Sequence, residues 1–384
     1  MMTSKSNSQN GVLATTPRKI IAGILVLALL YLAYVLFIKD GVVKVSGSAI
    51  SRLIDMDVRF ESYEFLNGGS LEITGLVITS PYPREKYRDE NEYQRDWISA
   101  EIGSIRLENF DYERLIEYRE WFASKITIDS ARITIYKDKT LPEPPFEYKG
   151  LPATLLQKIE GSVKVYTIDI NHMLIQYDER NKHSYSYGVI TFNDLTAECY
   201  NLANDSAALS LNPTFRIVAN TRAFDRAEIE ADIRFDMTHS NDAFTMKATV
   251  GPVAATTLNS MVAEVLPAVI TDGEIHGMNL DMAADDDRSS GTLEFEYSDL
   301  KFKVDNGDEG SLGSALATAA GRVIVRKNNL PGGNYRVGEI GFDRRKDRFI
   351  FNYWWNSLKS GLVDVMMSDA GRVIKLDEKA MEVQ

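Results

Sequence analysis

Along most of the chain, apolar and polar residues alternate one for one. Ile98, Ala100 and Ile102, then Ile105 and Leu107, are separated by polar side chains, as are Ile126 and Ile128, then Ala131, Ile133 and Ile135. Ala227, Ile229, Ala231, Ile233, Phe235 and Met237 form one of the longest runs. Phe244, Met246, Ala248 and Val250 follow it after the turn-like His239-Ser240-Asn241-Asp242. Leu293, Phe295 and Tyr297, then Leu300, Phe302 and Val304, repeat the pattern. A period of two gives each strand one apolar and one wet face, which is the behaviour of antiparallel sheets. Long helices do not alternate regularly with these strands, which disfavours a doubly wound α/β fold. The expected class is mainly β.

Helical signals are few. Tyr112–Ala123 follows Asp111, a suitable cap, and Leu151–Ile159 follows the Pro-rich stretch Leu141–Pro145. Ala254–Leu266 precedes Pro267, and Leu312–Ala320 is short and alanine-rich. Tyr82–Arg95, full of Pro and charge, reads as an exposed loop, and residues 141–150 are the best candidate for an internal boundary. Asn67–Leu76, Asp272–Leu280 and Ser290–Leu300 share a weak similarity, each placing Gly before a strand. Repeated strand–turn–strand units, or simple hairpin chemistry, would both produce it.

One segment breaks the alternation. Ile20–Ile38 is IIAGILVLALLYLAYVLFI, without a charge or a strongly polar side chain. At about 1.5 Å per residue it spans roughly 28 Å, close to a bilayer core of about 30 Å. A buried helix is seldom apolar all round, and a cleaved signal peptide has a shorter apolar region with a small-x-small site close behind it. A single-span anchor is therefore expected over residues 20–38. Lys5, Arg18 and Lys19 precede it without an acidic residue, which places residues 1–19, a Ser/Thr/Asn/Gln-rich disordered tail, in the cytoplasm. Residues 39–384 then lie on the far side, beginning with a short amphipathic helix around Val42–Ile54.

Composition narrows the function classes. Forty-three Lys and Arg against 55 Asp and Glu give a net charge of −12, the wrong sign for a general nucleic-acid binder. The single Cys199 cannot build a four-cysteine zinc site or an internal disulfide, so it reads as a buried or unpaired thiol. A mean hydropathy of −0.21 argues against a polytopic membrane protein. There is no nucleophile elbow, phosphate loop, His-Glu-x-x-His or dinucleotide fingerprint. His172, His183, His239 and His276 lack metal-site spacing, and Asp285-Asp286-Asp287 reads as a solvated turn before it reads as a calcium loop. Tyr185, Tyr187, Tyr353, Trp354 and Trp355 suit a sheet core or edge, or else a stacking surface for sugar or lipid. The basic run Arg344, Arg345, Lys346, Arg348 suits an exposed hairpin tip, or attraction to anionic headgroups. No catalytic residue, metal or cofactor is indicated.

Several segments together resemble the AsmA-like proteins of Gram-negative envelopes, a family with TamB-type members. They are the N-terminal anchor, then Ser48–Leu53, then Gly69, Leu71, Ile73, Gly75, Leu76, Ile78 and Pro81 in the order Gly-x-Leu-x-Ile-x-Gly-Leu-x-Ile-x-x-Pro. Ala100–Leu107 and Ile126–Tyr136 continue the likeness. In the C-terminal part it rests on a helix at Leu258–Leu266, a turn at Gly273–Gly277 and a strand at Tyr297–Phe302. The resemblance implies an elongated, curled antiparallel sheet with an apolar groove, no catalytic residues, and a role in moving lipid or maintaining the outer membrane. It implies an inner-membrane protein with its bulk in the periplasm, and a phospholipid or other envelope lipid as ligand, with other envelope proteins as further partners. The face carrying Ile229, Ile233, Phe235, Phe244 and Met246 is the candidate lining, although the same alternation suits a closed, filled core. A scaffold without lipid cargo is the competing reading. An envelope enzyme such as a glycan hydrolase, working through two carboxylates, is the third.

Overall fold

The computed structural model describes residues 56–180, 187–238, 241–259, 268–304 and 326–366. The expected anchor, the amphipathic helix behind it and the helix at Leu312–Ala320 lie outside them. No helix among the described residues is long and apolar enough to cross a membrane.

Among the described residues, fourteen strands form a single open sheet. In chain order they are β1 (Asp57–Arg59), β2 (Ser62–Leu66), β3 (Ser70–Thr79), β4 (Asp96–Glu108), β5 (Glu120–Asp138), β6 (Ser162–Arg180) and β7 (Tyr187–Ala203). After them come β8 (Thr214–Ala223), β9 (Ala227–Asp236), β10 (Phe244–Val250), β11 (Val253–Ala254), β12 (Ala268–Ala284), β13 (Arg288–Val304) and β14 (Val337–Asp343). From β3 onward, neighbours in the sheet follow chain order, with β1 and β2 both on β3 and β11 on β12. The helices are α1 (Tyr87–Glu90), α2 (Tyr112–Tyr118), α3 (Pro152–Gln157), α4 (Ser206–Leu211) and α5 (Ile350–Met366).

The expected mainly-β class holds, but the sheet is mixed, because β5 and β6 run parallel from Glu120↔Ser162 to Asp138↔Arg180. Parallel neighbours need a crossover. Each of these strands has 19 residues and runs for about 60 Å at about 3.3 Å per residue. Residues 139–161 must return that distance, so they form a nearly extended strap. Residues 141–150, the candidate boundary, lie in this strap, within a continuous sheet. The strap crosses the inner face, and Leu151, Ala153 and Leu156 at its helix α3 join the core.

A crease runs across five strands. The apolar phase slips at Ile73→Leu76, Ile102→Ile105, Ile128→Ala131, Ile170→Met173 and Phe192→Leu195, three residues apart instead of two. Gly75, Ser130, His172 and Asp194 take left-handed conformations at these slips, with φ of 61°, 56°, 52° and 50°. Gly103 sits between Gly75 and Ser130 in register. Each extra residue lets the strand bend while its apolar side chains return to the inner face. The register runs unbroken through the crease from β3 to β6 and is irregular only at β6–β7 and β7–β8, so the spacing of the apolar residues is the sequence trace of an aligned bend.

Other expectations change with tertiary context. The helix expected over Tyr112–Ala123 stops at Tyr118, where Arg119 turns left-handed (φ 55°), and Glu120–Ala123 begin β5. Its cap is Asp111, which accepts from the Arg114 N–H at 3.0 Å. The helix expected over Ala254–Leu266 is a single 3-10 turn at Ala255–Leu258 within the described residues. Tyr82–Arg95 is no simple exposed loop: Tyr87 is buried, packs edge-on against Tyr136, and accepts from the Arg95 N–H at 2.7 Å. Asp272–Leu280 and Ser290–Leu300 lie inside β12 and β13, paired with each other, so they are not repeating hairpin units, and Gly273–Gly277 is a bulged stretch of strand, not a turn.

Candidate functional site

The five residues of the expected lining share one face, and the ladder places them beside one another. Phe235 faces Phe244, Ile233 faces Met246, and Ile229 faces Val250. Extended across the sheet, these pairs become rows. The lowest is Phe215, Phe235, Phe244, Ala284, Ser289 and Phe342. Above it lie Ile217, Ile233, Met246, Met282, Gly291 and Ile340, then Ala219, Ala231, Ala248, Leu280, Leu293 and Gly338.

The lowest row is packed. Phe215 and Phe235 stack with centroids 5.9 Å apart, Phe235 and Phe244 are 5.5 Å apart, and Tyr353 of α5 meets Phe244 edge-on at 5.9 Å. Phe235 and Phe244 are each 2% exposed. Helix α5 replaces the sheet or stacking surface expected for Tyr353–Trp355. The missed signal is a helical stripe, Tyr353, Ser357, Gly361 and Val365, all buried on the sheet. Small residues let helix and sheet approach closely. A Cβ on Gly338 would lie 2.5 Å from the Gly361 carbonyl oxygen, and one on Gly361 would lie 3.0 Å from Leu293 and from Ile340. The hydroxyls of Ser289 and Ser357 meet at 2.7 Å inside this contact.

Higher on the inner face the cover thins. Ile217, Ile229, Ala231, Met246, Val250 and Met278 are half-buried, although all project from the same face as the packed row. Ile229 and Val250 stand outside the packed core altogether. The five expected residues therefore divide: Ile233, Phe235 and Phe244 are closed off, while Ile229 and Met246 belong to an apolar floor with incomplete cover.

Charged clusters lie at both ends of the long strands. At the end where β5 and β6 finish, the buried Asp138, Asp178 and Glu179 are matched by Arg180 (3.4 Å), Arg84 (2.5 Å) and Lys139 (2.5 Å). At the opposite end the strap is tied to the turns it crosses. Tyr148 donates to Asp286 at 2.8 Å, Glu143 pairs with Arg345 and Arg348 at 2.9 Å each, and the Lys149 N–H donates to the Lys346 carbonyl at 2.7 Å. Arg344 is fully buried and pairs with Asp286. The basic run is accordingly a fastening for the strap, with Arg344 buried and Arg345 still exposed, and not a free hairpin tip. Asp286 also pairs with Lys346 at 3.0 Å, so the acidic turn Asp285–Asp287 serves this fastening.

No protein-family model matches the chain, and no curated protein matches it.

The outer face has a different character. A polar trough of about 520 Å³ lies over β8–β13, lined by Arg216, Glu230, Asp232, Lys247, Asp281 and Glu294 among others. Several of its charges are paired: Asp232 accepts from Arg216 at 2.8 Å and Arg234 at 2.9 Å, and Lys247 pairs with Asp281 at 2.8 Å. The two arginines hold the Asp232 carboxyl well below the usual carboxylate range. Among the described residues no group of three or more His, Cys, Asp or Glu is arranged to hold a metal ion. Cys199 is buried, and burial pushes its thiol up to about 12. The group has the chemistry of a small core residue rather than a nucleophile.

Proposed function

We propose that this chain is a membrane-anchored, non-enzymatic lipid-handling protein of the AsmA-like kind, holding acyl chains on the inner face of its sheet. The observation that carries the reading is the half-buried apolar floor of Ile217, Ile229, Met246, Val250 and Met278, beside a packed aromatic row on the same face. Each methylene kept from water there is worth about 0.8 kcal/mol. Ile233, Phe235 and Phe244, with Tyr353 edge-on to Phe244, make the packed wall of that floor. The apolar run Ile20–Ile38 supports attachment to a bilayer, with the charge before it favouring a cytoplasmic N-terminus, an inner-membrane location and a periplasmic sheet.

Photo-crosslinking tests the proposal. A benzophenone side chain at Met246 or Ile229 of the full chain in its native membrane is expected to label phospholipid, and one at Ile126 is expected to label none. Native mass spectrometry of the detergent-extracted chain should then show a retained lipid. If the floor positions label no lipid and the mass shows the bare chain, the proposal fails. The aromatic row closed by α5 and the strap favours a second reading, a scaffold for envelope partners without cargo. That reading gains if a stoichiometric protein partner co-purifies in place of lipid.

A further inference from the structure

A smaller cavity shares Arg216 with the polar trough of the outer face. It measures about 330 Å³ and is lined by Tyr200 of β7, Asn212 behind α4, Thr214 and Arg216 of β8, and Arg234 of β9. Arg216 and Arg234 stand directly opposite each other in the ladder between β8 and β9. Like charges in that position repel and lower stability. Asp232 bridges them, accepting from Nε and Nη2 of Arg216 at 3.0 and 2.8 Å and from Nε and Nη2 of Arg234 at 3.2 and 2.9 Å. One carboxylate between two guanidiniums leaves a positive charge over. The carboxylate lines the trough and not the cavity, so the cavity meets the two cations from the side that Asp232 does not occupy.

The side-chain groups left over at this cavity are donors. Each arginine spends its Nε–Nη2 edge on Asp232, and neither Nη1 has a partner among the described residues. The Asn212 Oδ1 accepts from the Thr214 N–H at 3.1 Å, which fixes the amide's orientation and leaves its NH₂ group over. The Asn212 carbonyl is taken by the Asn201 amide at 2.8 Å. The Tyr200 hydroxyl donates to Glu198, while that of Thr214 adds one more donor to the lining. A chain of net charge −12 has no general attraction for anions, so any affinity for one must be local.

We propose that this cavity binds the phosphate of a phosphomonoester, with Arg216 and Arg234 supplying charge and Asn212 and Thr214 supplying hydrogen bonds. A carboxylate offers two oxygens in one plane, which a single guanidinium edge satisfies. Donors arriving from two strands and a loop suit the three terminal oxygens of a phosphate instead. A soluble phosphomonoester and a lipid headgroup both carry that group. The site lies on the face opposite the apolar floor and does not rest on the lipid-handling reading.

Calorimetric titration of the full chain in nonionic detergent with glycerol 3-phosphate tests the proposal. Saturable binding is expected, with a Kd of about 1 mM or tighter. Arg216→Gln and Arg234→Gln should each weaken it about tenfold or more. Arg106→Gln, the same change of charge on β4, should leave it unaltered. Thr214→Glu sets a carboxylate among the donors and should abolish binding with the thermal melt unchanged. A phosphomonoester gains its second charge at about pH 6, so binding should be tighter at about pH 7.5 than at about pH 5.5. Phosphatidic acid in the same micelles separates the sources: displacement of glycerol 3-phosphate marks a headgroup and its absence a soluble ligand, and both support the site. No saturable binding of glycerol 3-phosphate, binding that survives both arginine variants and Thr214→Glu, or an equal loss in Arg106→Gln overturns the site and leaves the reading of the inner face standing.

Discussion

Leu71, Ile105 and Ile126 on one side of the sheet, and Ile217, Ile229 and Met246 further along it, occupy the same kind of position. Each is an apolar residue on the inner face of an alternating strand. The first three are completely buried and the second three half-buried. Strand chemistry does not separate them, since Ile serves in both places. What differs is the cover each region receives. Around the first group, Phe110, Leu115 and Trp121 join the same core, whereas over the second the helix α5 lies to one side, on β13 and β14. Alternation thus specifies which face is apolar, while burial is decided by elements that arrive from elsewhere in the chain.

Truncation breaks this contrast most directly. Ile126→Ala should cost about 2–5 kcal/mol, as for a filled core, whereas Met246→Ala should cost about 1 kcal/mol, both read from denaturant midpoints. Equal losses at the two sites would mean that the floor is as closed as the flank. Arg344→Met removes a buried ion-pair partner from the strap fastening. The expected loss is about 1.5–3 kcal/mol, with residues 141–150 becoming open to limited proteolysis. Protection unchanged in that segment would show that the apolar contacts of α3 alone hold the strap.

Gly361→Leu wedges α5 off the sheet at the point where a Cβ already meets Leu293 and Ile340. It should cost about 1–3 kcal/mol and speed amide exchange at Glu339 and Gly341, whose N–H groups bond to the helix. The smallest effect belongs to the outer face. Asp232 has a lower pKa folded than unfolded, so its contribution is fully present above the ordinary carboxylate value of about 3.9 and is lost as pH falls below it. Asp232→Asn should therefore cost about 1 kcal/mol or less at pH 7 and flatten the acid limb of stability below about pH 4. An acid limb identical to that of the unmodified chain would remove Asp232 from the account.

Much of the sheet was legible because a period of two is a local property, written in consecutive residues. Even the crease left a trace, in apolar spacings of three at Ile102→Ile105 and Ile128→Ala131. The parallel joint left none, because β5 and β6 alternate like any antiparallel pair and only the route of the strap distinguishes them. The candidate lining was legible as a face: Ile229, Ile233, Phe235, Phe244 and Met246 do share one. Its division into a packed wall and a half-open floor was not, since Tyr353 reaches Phe244 from more than a hundred positions away. Arg344 was misread for the same reason: a basic run reads as solvated until the carboxylate waiting for it, Asp286, is known.

Sequence by itself determined the strands, the apolar face of each, the slips in apolar phase and the concentrated apolar run near the N-terminus. These follow from backbone geometry, which repeats every two residues in a strand and advances about 1.5 Å per residue in a helix. Tertiary structure alone decided that one joint is parallel, that a strap and a helix lie on the inner face, and which apolar residues are left with incomplete cover. Those outcomes depend on loop reach and on contacts between residues far apart in the chain, where a small pair such as Gly338 and Gly361 settles how closely a helix can lie.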